Sequence, residues 1–94
     1  MVGMATIAVW QKIDAESIVP ALEEAGEKLA SAADEVVLDF SSVRRVDKGA
    51  LQAMEGLSRV ADEKGVRVVL CGVNVDVYKV LKLVKLTSRF SFLS

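Results

Sequence analysis

Strand-like and helix-like hydrophobic patterns alternate strictly along this chain, and no other feature constrains its fold as much. Residues 4–11 (MATIAVWQ) alternate: Ala5, Ile7 and Val9 fall on one side, Thr6, Ala8 and Trp10 on the other. Ile18, Leu22, Ala25, Leu29 and Ala32 then recur at helical spacing, opposite Glu23, Glu24, Glu27 and Lys28. Period two marks a strand and period 3.6 a helix. Residues 35–40 (EVVLDF) read as a second strand, with Val36, Leu38 and Phe40 covered. Residues 49–64 read as a second helix, with Ala50, Leu51, Met54, Leu57 and Ala61 inward. Residues 66–71 are a third strand. Val77, Val80, Leu81 and Val84 stripe a third helix, and residues 90–93 close with a short strand. The order is β-α-β-α-β-α-β, an α/β fold. Single helices between successive strands imply a mainly parallel four-stranded sheet joined by right-handed crossovers.

Punctuation supports these elements. Asp14 or Ser17 can cap the first helix, with Pro20 in or near its first turn; Gly65 can end the second, and Asn74 can cap the third. Parallel strands covered on both faces read as continuous apolar runs. Here the second face carries a mixed set, Thr6, Ala8, Trp10, Val37, Asp39, Arg67, Val69, Cys71 and Ser91. The three helices are therefore expected mostly on one face, leaving the other partly open. Asp39, mid-strand among apolar neighbours, is expected either to point to the open face or to pair with Arg67 on the next strand, a pairing favoured over a general-base role.

Composition removes several functions. At 94 residues the chain is expected to form one domain over residues 1–94. Its net charge of −1 lacks the basic footprint of a dedicated nucleic-acid binder. With no histidine, Ser-His-Asp and Cys-His catalysis and His-bearing metal sites are excluded. The single cysteine, Cys71, forbids an intrachain disulfide and suits a reducing cytoplasm. No apolar run approaches the ~20 residues of a membrane span, and the N-terminus lacks a signal-peptide pattern. A cytoplasmic domain with no enzyme activity, cofactor, metal or membrane insertion is the expectation.

Local motifs are sparse. Neither glycine-rich nucleotide loop occurs. The helix starts at Gly49 and Asn74 could attract an anion, which makes a small-molecule or nucleotide-binding regulatory domain the rival from another class. The pairs Asp34/Glu35 and Asp62/Glu63 are adjacent in sequence and do not face each other on a helix. Lys79, Lys82 and Lys85, with Arg89 beyond, form either a patch for an acidic partner or a solvated flank whose cations suit a helix C-terminus. Trp10 is either an interface anchor or an end of the core.

Residues 36–51 (VVLDFSSVRRVDKGAL) run from a strand with Asp near its end, through a polar loop, to Val-Asp and a helix opening with Leu. This pattern resembles the STAS domain, a family that includes bacterial anti-sigma factor antagonists. Lys64-Gly65-Val66, Val73-Asn74-Val75 and Val80-Leu81-Lys82-Leu83 extend the resemblance from about Ile7 to Phe92. It implies a protein-recognition module. In the antagonists, a serine at the start of the second helix is phosphorylated by the partner kinase. At the matching positions Asp47 agrees, but Lys48 stands at the first hydroxyl position, Gly49 at the phosphoacceptor and Ala50 at the glycine. The phosphoacceptor is thus absent, and Ser41 and Ser42 lie earlier in the loop. The expected contact surface comprises Val43, Arg44, Arg45, Asp47, Lys48, Gly49, Ala50, Gln52, Glu55 and Arg59. The expected partner is an anti-sigma factor of the kinase type or, alternatively, the ATPase of a lipid-transport ABC transporter. The chain is short at both termini for this family, so apolar surface on the second sheet face (Ala8, Trp10, Val37, Val69, Cys71) is expected to support a homodimer.

Overall fold

A computed structural model describes residues 8–29 and 34–93. The elements are β1 (Ala8–Lys12), α1 (Ile18–Lys28), β2 (Glu35–Asp39), α2 (Lys48–Lys64), β3 (Arg67–Cys71), α3 (Val75–Leu83), a 3-10 turn (Thr87–Arg89) and β4 (Ser91–Leu93). The strands lie in the order β1-β2-β3-β4, and all three ladders are parallel. When sequence order equals spatial order, every right-handed crossover places its helix on the same face. The core agrees with this: Leu22 and Ala25 of α1, Met54, Leu57 and Ala61 of α2, and Val77 and Leu81 of α3 join Val36, Leu38, Val68 and Leu70 in one cluster. The expected element order and one-sided helices are both observed. Residues 4–7 of the expected first strand, Thr6 among them, and Ala32 of the first stripe lie outside the described residues.

Element ends differ by a residue for local reasons. Val66 still closes α2, its N–H donating to the Ala61 carbonyl at 2.9 Å, so β3 starts at Arg67. Gly65 takes φ 68° at that C-cap, the left-handed position where glycine is strain-free. The second helix starts at Lys48 because Asp47 caps it, its Oδ1 accepting from the Ala50 N–H at 2.8 Å. Asn74 caps α3 in the same way through Val77, at 2.7 Å. Ser17 occupies the α1 N-cap position without a side-chain bond to the helix. Phe90 ends the 3-10 turn, so β4 begins at Ser91.

The register corrects the view of the second sheet face. Asp39 lies opposite Cys71, while Arg67 lies opposite Glu35 at the other end of the ladder. The expected Asp39–Arg67 pair is therefore absent. Asp39 instead accepts the Ser41 N–H at 2.9 Å, and Arg67 Nε donates to Ser91 Oγ at 3.1 Å. Both ends of this face carry oppositely charged cross-strand neighbours, Glu35 beside Arg67 and Lys12 beside Asp39. The middle row runs Trp10, Val37, Val69, Ser91. Val37 and Val69 are only 3% and 4% exposed, whereas Trp10 is 62% exposed. The open apolar area expected here is thus reduced mainly to Trp10 and the outer Leu93.

Candidate functional site

The connection from β2 to α2 is held at both ends. Phe40 is fully buried, and its N–H donates to the Cys71 carbonyl at 2.8 Å. The Asp39 carboxylate then closes a tight turn on the Ser41 N–H, a geometry to which short polar side chains are suited. These hydrogen bonds to Ser41 hold the Asp39 carboxyl below its ordinary value, with a smaller contribution from Lys12 against the opposing effect of desolvation. Desolvation, and then the Asp39 charge, push the neighbouring Cys71 thiol up. Across the turn, Gly72 has φ 70°, and a Cβ there would lie 3.0 Å from the backbone of Ser41.

Further along, one amide ties two elements together. Asn74 Nδ2 donates to the carbonyls of Val43 and Arg44, at 3.3 and 3.2 Å, while its Oδ1 caps α3. The loop is thereby anchored to the start of α3, with Arg44 and Arg45 pointing to solvent. Of the ten residues expected at the contact surface, Val43 and Ala50 do not present their side chains. They are 2% and 1% exposed and belong to the core. Both fall on the inward side because the loop dips and α2 turns its first buried position to the sheet. Arg44, Arg45, Asp47, Lys48, Gly49, Gln52, Glu55 and Arg59 are exposed. Glu55 and Arg59 form an ion pair at 3.7 Å one turn apart.

Gly49 lies in the first turn of α2 and carries no hydroxyl. A Cβ there would make ordinary contact, 3.5 Å from Asp47 Oδ1. The Asp47 carboxylate already occupies the helix N-terminus, where a negative charge is favoured, and so competes with any bound anion.

A surface that the sequence did not reveal lies alongside. Lys48, Leu51, Gln52 and Glu55 of α2 face Val84 and Leu86 across a groove of about 290 Å³. Leu83 at 81% and Val84 at 47% are among the more exposed large apolar side chains described. The helix ends here with Lys85 at φ 63°, and the Leu86 N–H returns to the Leu81 carbonyl at 2.8 Å. Val84, expected inward as the last member of the Val77, Val80, Leu81 and Val84 stripe, is exposed instead, because α3 ends at Leu83 and the chain turns away at Lys85; Leu83 falls outside that stripe and so has no inward role. Among the described residues no group of His, Cys, Asp or Glu side chains converges as a metal site, and no helix is long and apolar enough to cross a membrane.

These features define a class: a one-sided parallel α/β domain with an exposed polar loop leading into its second helix. The chain belongs to the STAS-domain family; the family described as "Mlab, STAS domain" matches residues 5–93. The fold is similar to that of the Thermotoga maritima protein TM1081, described as a candidate anti-sigma factor antagonist. Its NMR structure aligns with TM-score 0.78 at 16% identity, covering 98% of this chain and 78% of that one. Its crystal structure aligns with TM-score 0.69 at 20% identity, covering 97% and 75%. The STAS domain of a SulP transporter from Vibrio cholerae aligns with TM-score 0.75 at 18% identity, covering 98% and 77%. At these identities the likeness speaks for the fold. No curated protein sequence matches the chain.

Proposed function

We propose that this chain is a cytoplasmic protein-recognition module of bacterial signalling, related to anti-sigma factor antagonists in regulating transcription and lacking their phosphorylation switch. The observation that carries the reading is Gly49, exposed in the first turn of α2 where a phosphoacceptor hydroxyl would stand. Around it, Arg44, Arg45, Lys48 and Gln52 project from a loop and helix fixed by Asp47, Asn74 and the buried Val43. Binding residues on a loop held by a rigid scaffold are the common arrangement for recognition. A phosphate would add about −1.5 to −2 charges beside Asp47; without an acceptor, partner binding here is constitutive.

The same observation favours a second reading, a STAS subunit held on the ATPase of a lipid-transport ABC transporter, since a permanently docked subunit needs no switch. The Asp47 carboxylate at the α2 N-terminus weighs against the rival nucleotide or small-anion reading.

The test is titration calorimetry of the chain with a kinase-type anti-sigma factor and with an ABC ATPase from the same genome, together with intact mass after incubation with the kinase and ATP. We expect one of them to bind, no phosphate at the start of α2, and at least about tenfold weaker binding for Arg45→Glu and Lys48→Glu with Tm nearly unchanged. Unchanged affinity in both variants, or a phosphate on Ser41 or Ser42, overturns the reading.

A further inference from the structure

A notch opens where β4 falls short of β3. β4 begins at Ser91, opposite Val69, so Arg67 and Val68 have no strand beside them on that edge. Between the second half of α2 and the 3-10 turn this leaves a cavity of about 350 Å³. Its floor is apolar: Ala61, Val68 and Phe90 line it and are buried. Its rim carries two guanidiniums, Arg67 and Arg89, beside Ser88. Among the described residues no carboxylate lies within ion-pair distance of either arginine. Arg67 Nε donates to Ser91 Oγ at 3.1 Å, which restrains the side chain and leaves its two terminal nitrogens without a partner among the described residues. A guanidinium cannot shed its charge, so two on one rim repel each other until an anion lies between them. Asp62, the one acid on the rim, opposes an anion but leaves two positive charges against one negative. A pocket of this size with apolar walls and a few placed polar groups is the usual form of a small-molecule site. The fork of an arginine matches the paired oxygens of a carboxylate or phosphate.

We infer that this notch binds a small organic anion, its carboxylate or phosphate head held by Arg67, Arg89 and Ser88 and its compact apolar body seated on Ala61, Val68 and Phe90. The site is a second function of the domain and does not rest on the protein-recognition reading. Asp62 stands roughly 20 Å along α2 from Gly49, so a ligand here leaves the recognition loop free.

Phenyl phosphate and benzoate, titrated into the nitrogen-15-labelled chain in phosphate-free buffer, test it. Inorganic phosphate and benzyl alcohol serve as the head and the body alone. An aromatic anion should shift the amides of Ala61, Asp62, Val68 and Arg89 saturably, with a Kd on the order of 1 mM, and the separate head and body should each bind at least about tenfold more weakly. The tighter of the two anions identifies the head. Arg67→Gln and Arg89→Gln should each weaken that anion about fivefold with Tm nearly unchanged. Asp62→Asn should tighten it about twofold. Lys79→Gln removes the same charge outside the notch and should leave the affinity as it is. No saturable shift for either anion, shifts centred elsewhere, or unchanged affinity in both arginine variants overturns the inference. So does inorganic phosphate or benzyl alcohol binding as tightly as the aromatic anions, or Lys79→Gln weakening them as much as the arginine variants do.

Discussion

Two glycines show how much a single missing Cβ can carry. Gly65 and Gly72 both sit at positive φ, but a Cβ on Gly65 meets nothing within 4 Å, whereas on Gly72 it would press on the Ser41 backbone. Gly65→Ala should therefore cost only the conformational term, about 1–2 kcal/mol. Gly72→Ala should cost more, because the Ser41 turn has to move as well, and urea unfolding of the two variants measures the difference. Asp39 is the residue whose charge matters to that turn. Its folded carboxyl is held below the ordinary value, so its stabilisation is present above about pH 4, the range of an unperturbed Asp, and is lost as pH falls through the lower folded value. Asp39→Asn keeps an acceptor for the Ser41 N–H but has no charge to lose. The Tm advantage of the wild type over this variant should be full at neutral pH and shrink below pH 4; a constant gap down to pH 2.5 would show that the charge contributes nothing.

The elements themselves were legible because their periods are unambiguous. Val36, Leu38 and Phe40 against Ala50, Met54, Leu57 and Ala61 leave no other assignment, and their burial follows it. The site was legible only in part. Arg44, Arg45 and Lys48 could be placed outward from the polarity of their segment, but Val43 and Ala50 could not be placed inward without knowing how the loop dips toward the sheet. The Asp39–Arg67 expectation failed because facing the same side does not fix the distance along the strands; the residue opposite Arg67 is Glu35, four residues from Asp39 on β2. The groove was hidden because it needs the α2 surface and the end of α3 together, and no local pattern joins them. The elements also differ in how firmly they are held. β2 and β3 each have a neighbour on both sides and buried centres, whereas β4 is a three-residue edge strand with an exposed end. Amide hydrogen exchange should be slowest at Val36–Leu38 and Val68–Leu70 and fastest among the strands at β4. Equal protection across all four strands would contradict this ranking.

For the whole molecule, the question is what the uncovered sheet face does. About 500 Å² of open apolar surface there would be worth on the order of 10 kcal/mol gross at ~25 cal/mol per Å², enough for a micromolar dimer after the cost of association. Val37 and Val69 are already covered within the chain, so Trp10, on the edge strand β1, is left as the main anchor on this face. One indole per copy offers about 150–250 Å², and a two-fold pairing through it should be weaker than micromolar. Light scattering across tens to hundreds of micromolar should show only gradual association, abolished by Trp10→Ser. A tight dimer, or one indifferent to that substitution, would place the self-contact elsewhere.

The strand order has a consequence for how such a chain comes off the ribosome. Because spatial order repeats sequence order, every stretch of nascent polypeptide that ends just past a strand already contains a contiguous sheet. Each newly emerged strand docks onto the edge left by the previous one, and its crossover helix settles on the face already occupied. No earlier strand has to part to admit a later one, and pairing partners are always consecutive, which keeps the loops to be closed short. The fold can therefore be built outward during translation, with β4 as the final addition rather than the keystone.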